Sequence, residues 1–312
     1  MQNKKIRGLV TPLGVGALVG VTMLGGVPAN ATSFNTTFNN TCKITPSAVA
    51  SPTSETQAAS LAVNAPDTVN AGDTFDVTII PPPISFPNSS SGASVQNVSR
   101  VKIDVLVPDN ADYIGADILQ NTSVGLSGVT PSLLRVNENG NPDPNGAILR
   151  LSGNNQTIGN GPNSSKSSEG GIVAKATSGT ATTFQLPQVT AHLRARSAGD
   201  VSLKLRTAGA AGTFGNDANF LTFLPKATLV ITAWAPTQCS PRDGETAPLN
   251  AGAGPLSTTR IIEADKQTTT TVVAPGSVKN GSEVTLTANV NPAANGGTVQ
   301  FSDGATPLGG PV

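Results

Sequence analysis

Apolar and polar residues alternate in short runs along most of this chain, and the runs are separated by clusters of Pro, Gly and Asn. Phe75, Val77 and Ile79 form the buried side of one run, which stops at Pro81-Pro82-Pro83. In the clearest run, Arg100 to Val107, the residues Val101, Ile103, Val105 and Val107 point one way while Arg100, Lys102 and Asp104 point the other. A strong pair follows: Val189, Ala191, Leu193 and Ala195 inward with Thr190, His192, Arg194 and Arg196 outward, then Val201, Leu203 and Leu205 inward with Lys204 and Arg206 outward. Ser197-Ala198-Gly199-Asp200 joins them as a hairpin turn. A period of two is the signature of a strand with unlike faces. Leu61 to Asn64 is another such run, Tyr113 to Leu119, Leu133 to Val136 and Ile148 to Leu151 are weaker ones, and Phe220 to Leu224 and Ala227 to Ala233 finish the domain before Cys239. No run of ten or more residues beyond the N-terminal segment keeps a 3.6-residue apolar period. The fold class is therefore all-β, and many short strands with Gly/Pro-rich turns predict an antiparallel β-sandwich.

Between these runs the composition shifts mark boundaries. Residues 32–58 are rich in Thr, Asn, Ser, Ala and Pro, with too few large apolar groups to offset their ordering entropy, so they predict a flexible arm tied down near Cys42. Residues 59–240 form the expected sandwich domain. Within it, Gly153 to Gly171 reads as a long Gly/Asn/Ser loop, too polar for a core and of a length that suggests mobility or function. Residues 241–265, with Pro248 and Pro255, have the composition of a linker.

At the start of the chain Lys4, Lys5 and Arg7 precede an uncharged stretch from Gly8 to Ala31, and Ala29-Asn30-Ala31 supplies the small residues of a cleavage site. Residues 1–31 are expected to be a signal peptide, with an uncleaved anchor as the alternative. Removing them leaves 16 basic against 19 acidic side chains, which favours neither nucleic acid nor anionic lipid as a partner. No second long apolar run follows, so no membrane insertion is expected after cleavage. The two cysteines, Cys42 and Cys239, predict one disulfide in an oxidising compartment, a clasp near the two ends of the first domain; two unpaired buried thiols are the alternative.

The last stretch has its own pattern. Thr268-Thr269-Thr270-Thr271-Val272-Val273 precedes Gly281-Ser282-Glu283-Val284-Thr285-Leu286-Thr287-Ala288-Asn289-Val290, in which Val284, Leu286, Ala288 and Val290 share a face. Gly297-Thr298-Val299-Gln300-Phe301-Ser302-Asp303-Gly304 follows, with Asn280-Gly281 and Asn295-Gly296-Gly297 as turns. This segment resembles the first half of a bacterial Ig-like (Big) domain, found in tandem in large surface proteins of high-GC Gram-positive bacteria. The resemblance implies a partial Ig-like repeat over residues 266–312 that lacks its closing strands. The preceding cysteine-bracketed domain resembles, in general pattern, the N-terminal modules of such exported proteins.

Chemistry-bearing motifs are few. His192 is the sole histidine, expected on an outward strand face beside Arg194, and no Gly-x-Ser-x-Gly elbow exists to supply a triad. One His and two distant cysteines do not make a zinc site, and no cofactor is expected. The run from Asn137 to Gly146 places oxygen-bearing side chains in alternation before Gly, as a calcium loop does, but no Glu closes it, and the same residues build turns. Trp234 is expected to plug the sandwich end near Cys239, and Tyr113 is an equal candidate for the core. The sequons at Asn88 and Asn121 read as polar loop composition. The chain is thus expected to be a non-enzymatic secreted or envelope-displayed protein used in structure or adhesion, with a host-cell, neighbouring-cell or wall-glycan partner. A carbohydrate or wall-polymer binding module is the alternative, and a secreted hydrolase built on paired carboxylates is third.

Overall fold

A computed structural model describes residues 31–47, 51–90, 92–263, 267–292 and 297–312. The expected signal segment up to Asn30, the junction 264–266 and the turn residues Asn295-Gly296 lie outside the described residues. What is described is all-β, with two short 3-10 turns and no α-helix.

Ten strands can be followed edge to edge from Ala111–Ile118 through Val189–Ala195, Thr74–Ile80, Thr53–Pro66, Ala31–Ile44, Thr237–Pro241, Leu221–Thr228, Ala93–Leu106 and Ile148–Ser152 to Ser132–Val136, each pair antiparallel. The two ends of this walk meet, since the Arg135 guanidinium stands 4.9 Å from the centroid of the Tyr113 ring. The sheet is thus wrapped around one core, as a sandwich is. Val63, Ala65, Phe75, Val77, Ile79, Val101, Val105, Leu149, Leu151, Val189, Ala191, Leu193, Val201, Leu203 and Leu205 all lie in it. The inward positions predicted by period two are therefore the core positions. Each fully buried Val, Leu, Ile or Phe stabilises by about 1.5–3 kcal/mol.

Three expectations need correction. The arm at residues 32–58 is not loose: Ala31–Ile44 pairs with Thr53–Pro66 along 14 residues, and Phe34 and Phe38 rest on the core. Thr-rich sequence suits a half-exposed strand, and pairing with Thr53–Pro66, joined over Asn40 to Ile44 by Thr237–Pro241 on the other side, offsets the ordering cost that composition alone makes prohibitive.

The linker at 241–265 belongs to the domain. Ser257–Ile262 pairs antiparallel with Gly199–Leu205 and parallel with Thr68–Asn70, burying Leu256 and Ile261. The domain therefore runs from Ala31 to residue 263. The Gly153 to Gly171 loop, expected outside the core, buries Asn155, Thr157 and Ile158.

By contrast, among the described residues of 267–312 none is buried. Thr269–Val273 pairs with Thr287–Asn291, while Val299 exchanges backbone hydrogen bonds with Val312 in a separate hairpin. Leu286, Ala288, Val290, Val299 and Phe301 are only half-covered and Val284 is exposed.

Candidate functional site

The strand Ala93–Leu106 buries both of its faces, and its polar face carries the molecule's densest constellation of charge. Lys102, Asp104, Arg150 and Arg206 have at most 1% of their surface exposed. The Asp104 carboxylate accepts from Arg150 through Oδ1 (Nε, 2.8 Å) and Oδ2 (Nη2, 2.8 Å), a bidentate fork. Its Oδ2 also takes Lys102 Nζ at 3.0 Å and Arg206 Nη1 at 3.2 Å. Burial acts to raise the Asp104 pKa, but the charges of Lys102, Arg150 and Arg206 with the Arg150 hydrogen bonds win, and it falls to about 2. Burial lowers Lys102 to about 8 against the pull of Asp104.

One carboxylate facing three cations leaves positive charge to be dispersed, and loops do this. Arg150 donates to Asn155 Oδ1 and to the Asn160 carbonyl and side chain. Arg206 donates to Asn160 Oδ1, to the Glu138 carbonyl and to the Glu138 carboxylate at 2.8 Å. Lys102 donates to the carbonyls of Asp217 and Asn219. Arg100 sits at a register shift with φ 52, and its side chain reaches the carbonyls of Thr157, Asn163 and Ser168. The Asn/Gly composition of these loops therefore meets a conformational need. Asn154, Asn155 and Asn160 are left-handed, and a Cβ on Gly140 (φ +76) would meet the Asn160 carbonyl at 1.8 Å. This constellation is a structural clamp in which every charge is already engaged.

His192 lies outward as expected, but held. Its Nδ1 is 2.7 Å from Asp76 Oδ1 and its Nε2 is 3.1 Å from Asp117 Oδ2. These hydrogen bonds, first from Asp76 and then from Asp117, raise its pKa. Both ring nitrogens face carboxylates on an open sheet face, so neither faces a serine hydroxyl.

Asn137 to Gly146 turns its oxygens to its own backbone: Asn137 Oδ1 accepts from the N–H of Asn139 and Asn141, and Asp143 Oδ1 from Asn145. With Glu138 paired to Arg206, the loop reads as turn chemistry serving the clamp. Among the described residues no cluster of three His, Cys, Asp or Glu side chains is arranged to hold a metal ion.

Cys42 and Cys239 stand opposite one another across neighbouring antiparallel strands and are disulfide-bonded, closing 197 residues of sequence separation. The clasp is internal to the domain, because Ser257–Ile262 follows it. Trp234 lies half-buried at the end of the short strand Thr232–Trp234, with Lys226 Nζ 5.5 Å from its ring centroid, rather than in the sandwich core. Tyr113 packs against the core, and burial raises its pKa. Asn88 ties down a neighbouring loop by donating to the carbonyls of Thr177 and Gly179.

Two surface features remain. An open groove of about 700 Å³ runs between Phe38, Asn39, Ala59, Pro82, Pro83 and Asp243; the Asp243 carboxylate there accepts from Asn39 and Asn250. At another place the hairpin tip Leu229-Val230-Ile231 projects three large apolar side chains, exposed by 60, 91 and 51%. The strand expected from Ala227 to Ala233 is thus broken at this tip into the two arms of a hairpin, and the uninterrupted apolar run is its signal in the sequence.

No family model and no curated protein matches the chain, so the likeness of 268–312 to Ig-like repeats rests on its motif residues. Among solved structures, the chain is similar to a Corynebacterium diphtheriae protein provisionally described as membrane anchored, with 19% identity and a TM-score of 0.40. The match covers 89% of this chain and 48% of the other, so the chain spans about half the length of that protein.

Proposed function

We propose that this chain is a non-enzymatic display protein working outside the cytoplasm, in which the disulfide-braced domain 31–263 is held out from a surface and meets a partner of a host or neighbouring cell. The observation that carries this reading is where the domain's two ends emerge. Ala31 pairs with Pro66, the Thr32 hydroxyl donates to Asp67 Oδ2, and the Arg260 N–H donates to the Asp67 carbonyl. Ile262 then aligns with Asn70. Both chain ends therefore leave from one end of the domain, as a stem requires, and the far end is free to make contact. The disulfide fits an oxidising location, and the ionisable groups of the clamp and of His192 are consumed by mutual contacts. Adhesion is the use this geometry suits. The test is protease shaving of intact producing cells: release of the folded domain by cuts near residues 263–268 supports display, and complete protection within the cytoplasm defeats it.

A second reading, a glycan or wall-polymer binding module, is favoured by the groove at Phe38, where an aromatic ring lies beside the Asp243, Asn39 and Asn250 side chains. Isothermal titration with wall fragments against Asp243→Ala separates the two.

A further inference from the structure

The end of the domain opposite the stem has an unusual charge pattern. Strand register locates it. Leu221 and Cys42 both align with Cys239, and the strand from Leu221 runs on past that level to Thr228, which pairs with Thr232 to form the tip. Ala31 lies eleven residues the other way from Cys42 along the first strand. At ~3.3 Å per residue, Ala31 is thus roughly 36 Å and Thr228, at the base of the tip, roughly 23 Å from the disulfide, on opposite sides. The tip is backed by the start of the central strand, where Thr228 aligns with Ser94 and accepts from Gln96 Nε2.

The segments around the tip, residues 83–96, 176–186 and 227–238, contain no Asp, Glu, Lys, Arg or His. On the two strands that flank the central one, the first charges behind the tip are cationic. Lys175 and Lys226 both align with Asn97, one on each flank of the central strand. At the same level the Glu169 carboxylate is held by the Asn97 amide. Trp234 lies level with these lysines, opposite Lys226 in register, with the Lys226 ammonium over its ring.

We propose that this end docks on a phospholipid bilayer bearing anionic headgroups, with Leu229, Val230 and Ile231 entering the interface, Trp234 at headgroup depth and Lys175 and Lys226 facing the phosphates. An apex of large aliphatic side chains, with an aromatic ring and two lysines together one level behind it and no carboxylate in the surrounding segments, is the layering that a bilayer interface rewards. A protein pocket does not require the charges to be ordered by depth. The expectation of no membrane insertion concerns spanning segments, and the overall charge balance that favours no anionic lipid is overridden at this end by the local placement of Lys175 and Lys226; a three-residue tip can enter an interface without crossing. The inference rests on the display reading for its orientation, yet its test uses purified protein, so either can fail alone.

The probe is a vesicle of phosphatidylcholine and phosphatidylglycerol (7:3) added to the chain from Ala31 onward. The protein has a single Trp, so Trp234 fluorescence reports on the tip directly. Co-sedimentation with a blue shift and quenching by brominated acyl chains is expected. Val230→Asp, at an exposed site that leaves circular dichroism and melting unchanged, should weaken partitioning at least tenfold. The double variant Lys175→Gln with Lys226→Gln should weaken it a few-fold and flatten its salt dependence. Equal partitioning of wild type and V230D overturns the proposal. So does absence of any vesicle binding, including the case in which V230D instead abolishes self-association seen in sedimentation velocity, which would make the tip a protein contact.

Discussion

The domain from Ala31 to residue 263 and the segment from 267 to 312 are written in the same vocabulary of short Val- and Thr-rich strands and Gly/Asn turns, yet among the described residues only the first buries any. Val101, Val189 and Leu203 each lie on strands paired on both sides and covered by another layer. Val290 and Phe301 sit in isolated two-stranded hairpins, half-covered. Period two specifies that a strand has an apolar face; it does not supply the layer that covers it. Isolated hairpins are marginal in water, and at least three strands or a packed partner are needed for independent stability. What distinguishes the domain is long-range closure: the disulfide, the pairing of Ser257–Ile262 with strands far apart in sequence, and the clamp around Asp104.

The largest expected effect is at the clamp. Asp104→Ala should cost about 3–5 kcal/mol in urea unfolding, because Lys102, Arg150 and Arg206 would remain buried without their counter-ion. A change below about 1 kcal/mol would mean that the loop carbonyls alone satisfy the cations. The carboxylate also sets an acid limit. A folded pKa near 2, below the ordinary 3.8, contributes stability that is present above pH 3.8 and lost as pH falls from there through about 2. Acid titration of wild type should show that loss, and the Ala variant should lack this component.

Next comes the clasp. Replacing Cys42 and Cys239 together by Ser should cost about 2–4 kcal/mol, chiefly by freeing a long loop in the unfolded chain. The strands around Cys42 and Cys239 should keep their register in the variant, checked by amide exchange, since hydrogen bonds on both sides of Cys239 also hold it. If both cysteines of the folded protein react with a thiol reagent, the clasp is absent.

A smaller effect belongs to His192. Its folded pKa is raised above 6.5 by Asp76 and Asp117, so its contribution is complete below pH 6.5 and is lost as pH rises through the folded value. His192→Gln should remove that decline while changing stability at pH 8 little, with a difference at low pH of under about 1 kcal/mol because the carboxylates are exposed. A wild-type stability curve that is flat from pH 6 to 8 would show the bridge to be unimportant.

These effects also mark what was legible in the sequence. Inward positions of Thr74–Ile80, Val189–Ala195 and Gly199–Leu205 followed from alternation, and the cysteine pair from compartment. The buried second face of Ala93–Leu106 did not, because Arg100, Lys102 and Asp104 look solvated unless their partners are known, and Arg150, Arg206 and Glu138 lie tens of residues away. One local hint existed: Arg150 interrupts the apolar run Ile148 to Leu151, all of which is buried. The Asn-rich loop was misread because Asn serves both flexible sequence and the left-handed turns that wrap an arginine. The strand Ser257–Ile262 was hidden by the Pro- and Gly-containing stretch before it, although Ser257, Thr259 and Ile261 alternate inward. The Leu229 tip was missed for the opposite reason, since an apolar run reads as interior.

The smallest expected effect is the one that tests the comparison itself. Ending the chain at residue 263 removes a segment in which no described residue is buried, and the core of the domain draws its last residue from Ile261. Unfolding free energy should therefore change by less than about 0.5 kcal/mol, the range of surface changes. The released peptide 267–312 should show little amide protection, because its hairpins expose Val272, Val273 and Val284 and would gain only from added strands. A loss of more than about 1 kcal/mol on shortening would mean that the apolar side of the segment docks on the domain and that closure extends further along the chain. A well-dispersed spectrum with slowly exchanging amides from the monomeric peptide would instead mean that two hairpins suffice. Either result would break the rule drawn from the two regions, that alternation makes strands and only a covering layer makes a fold.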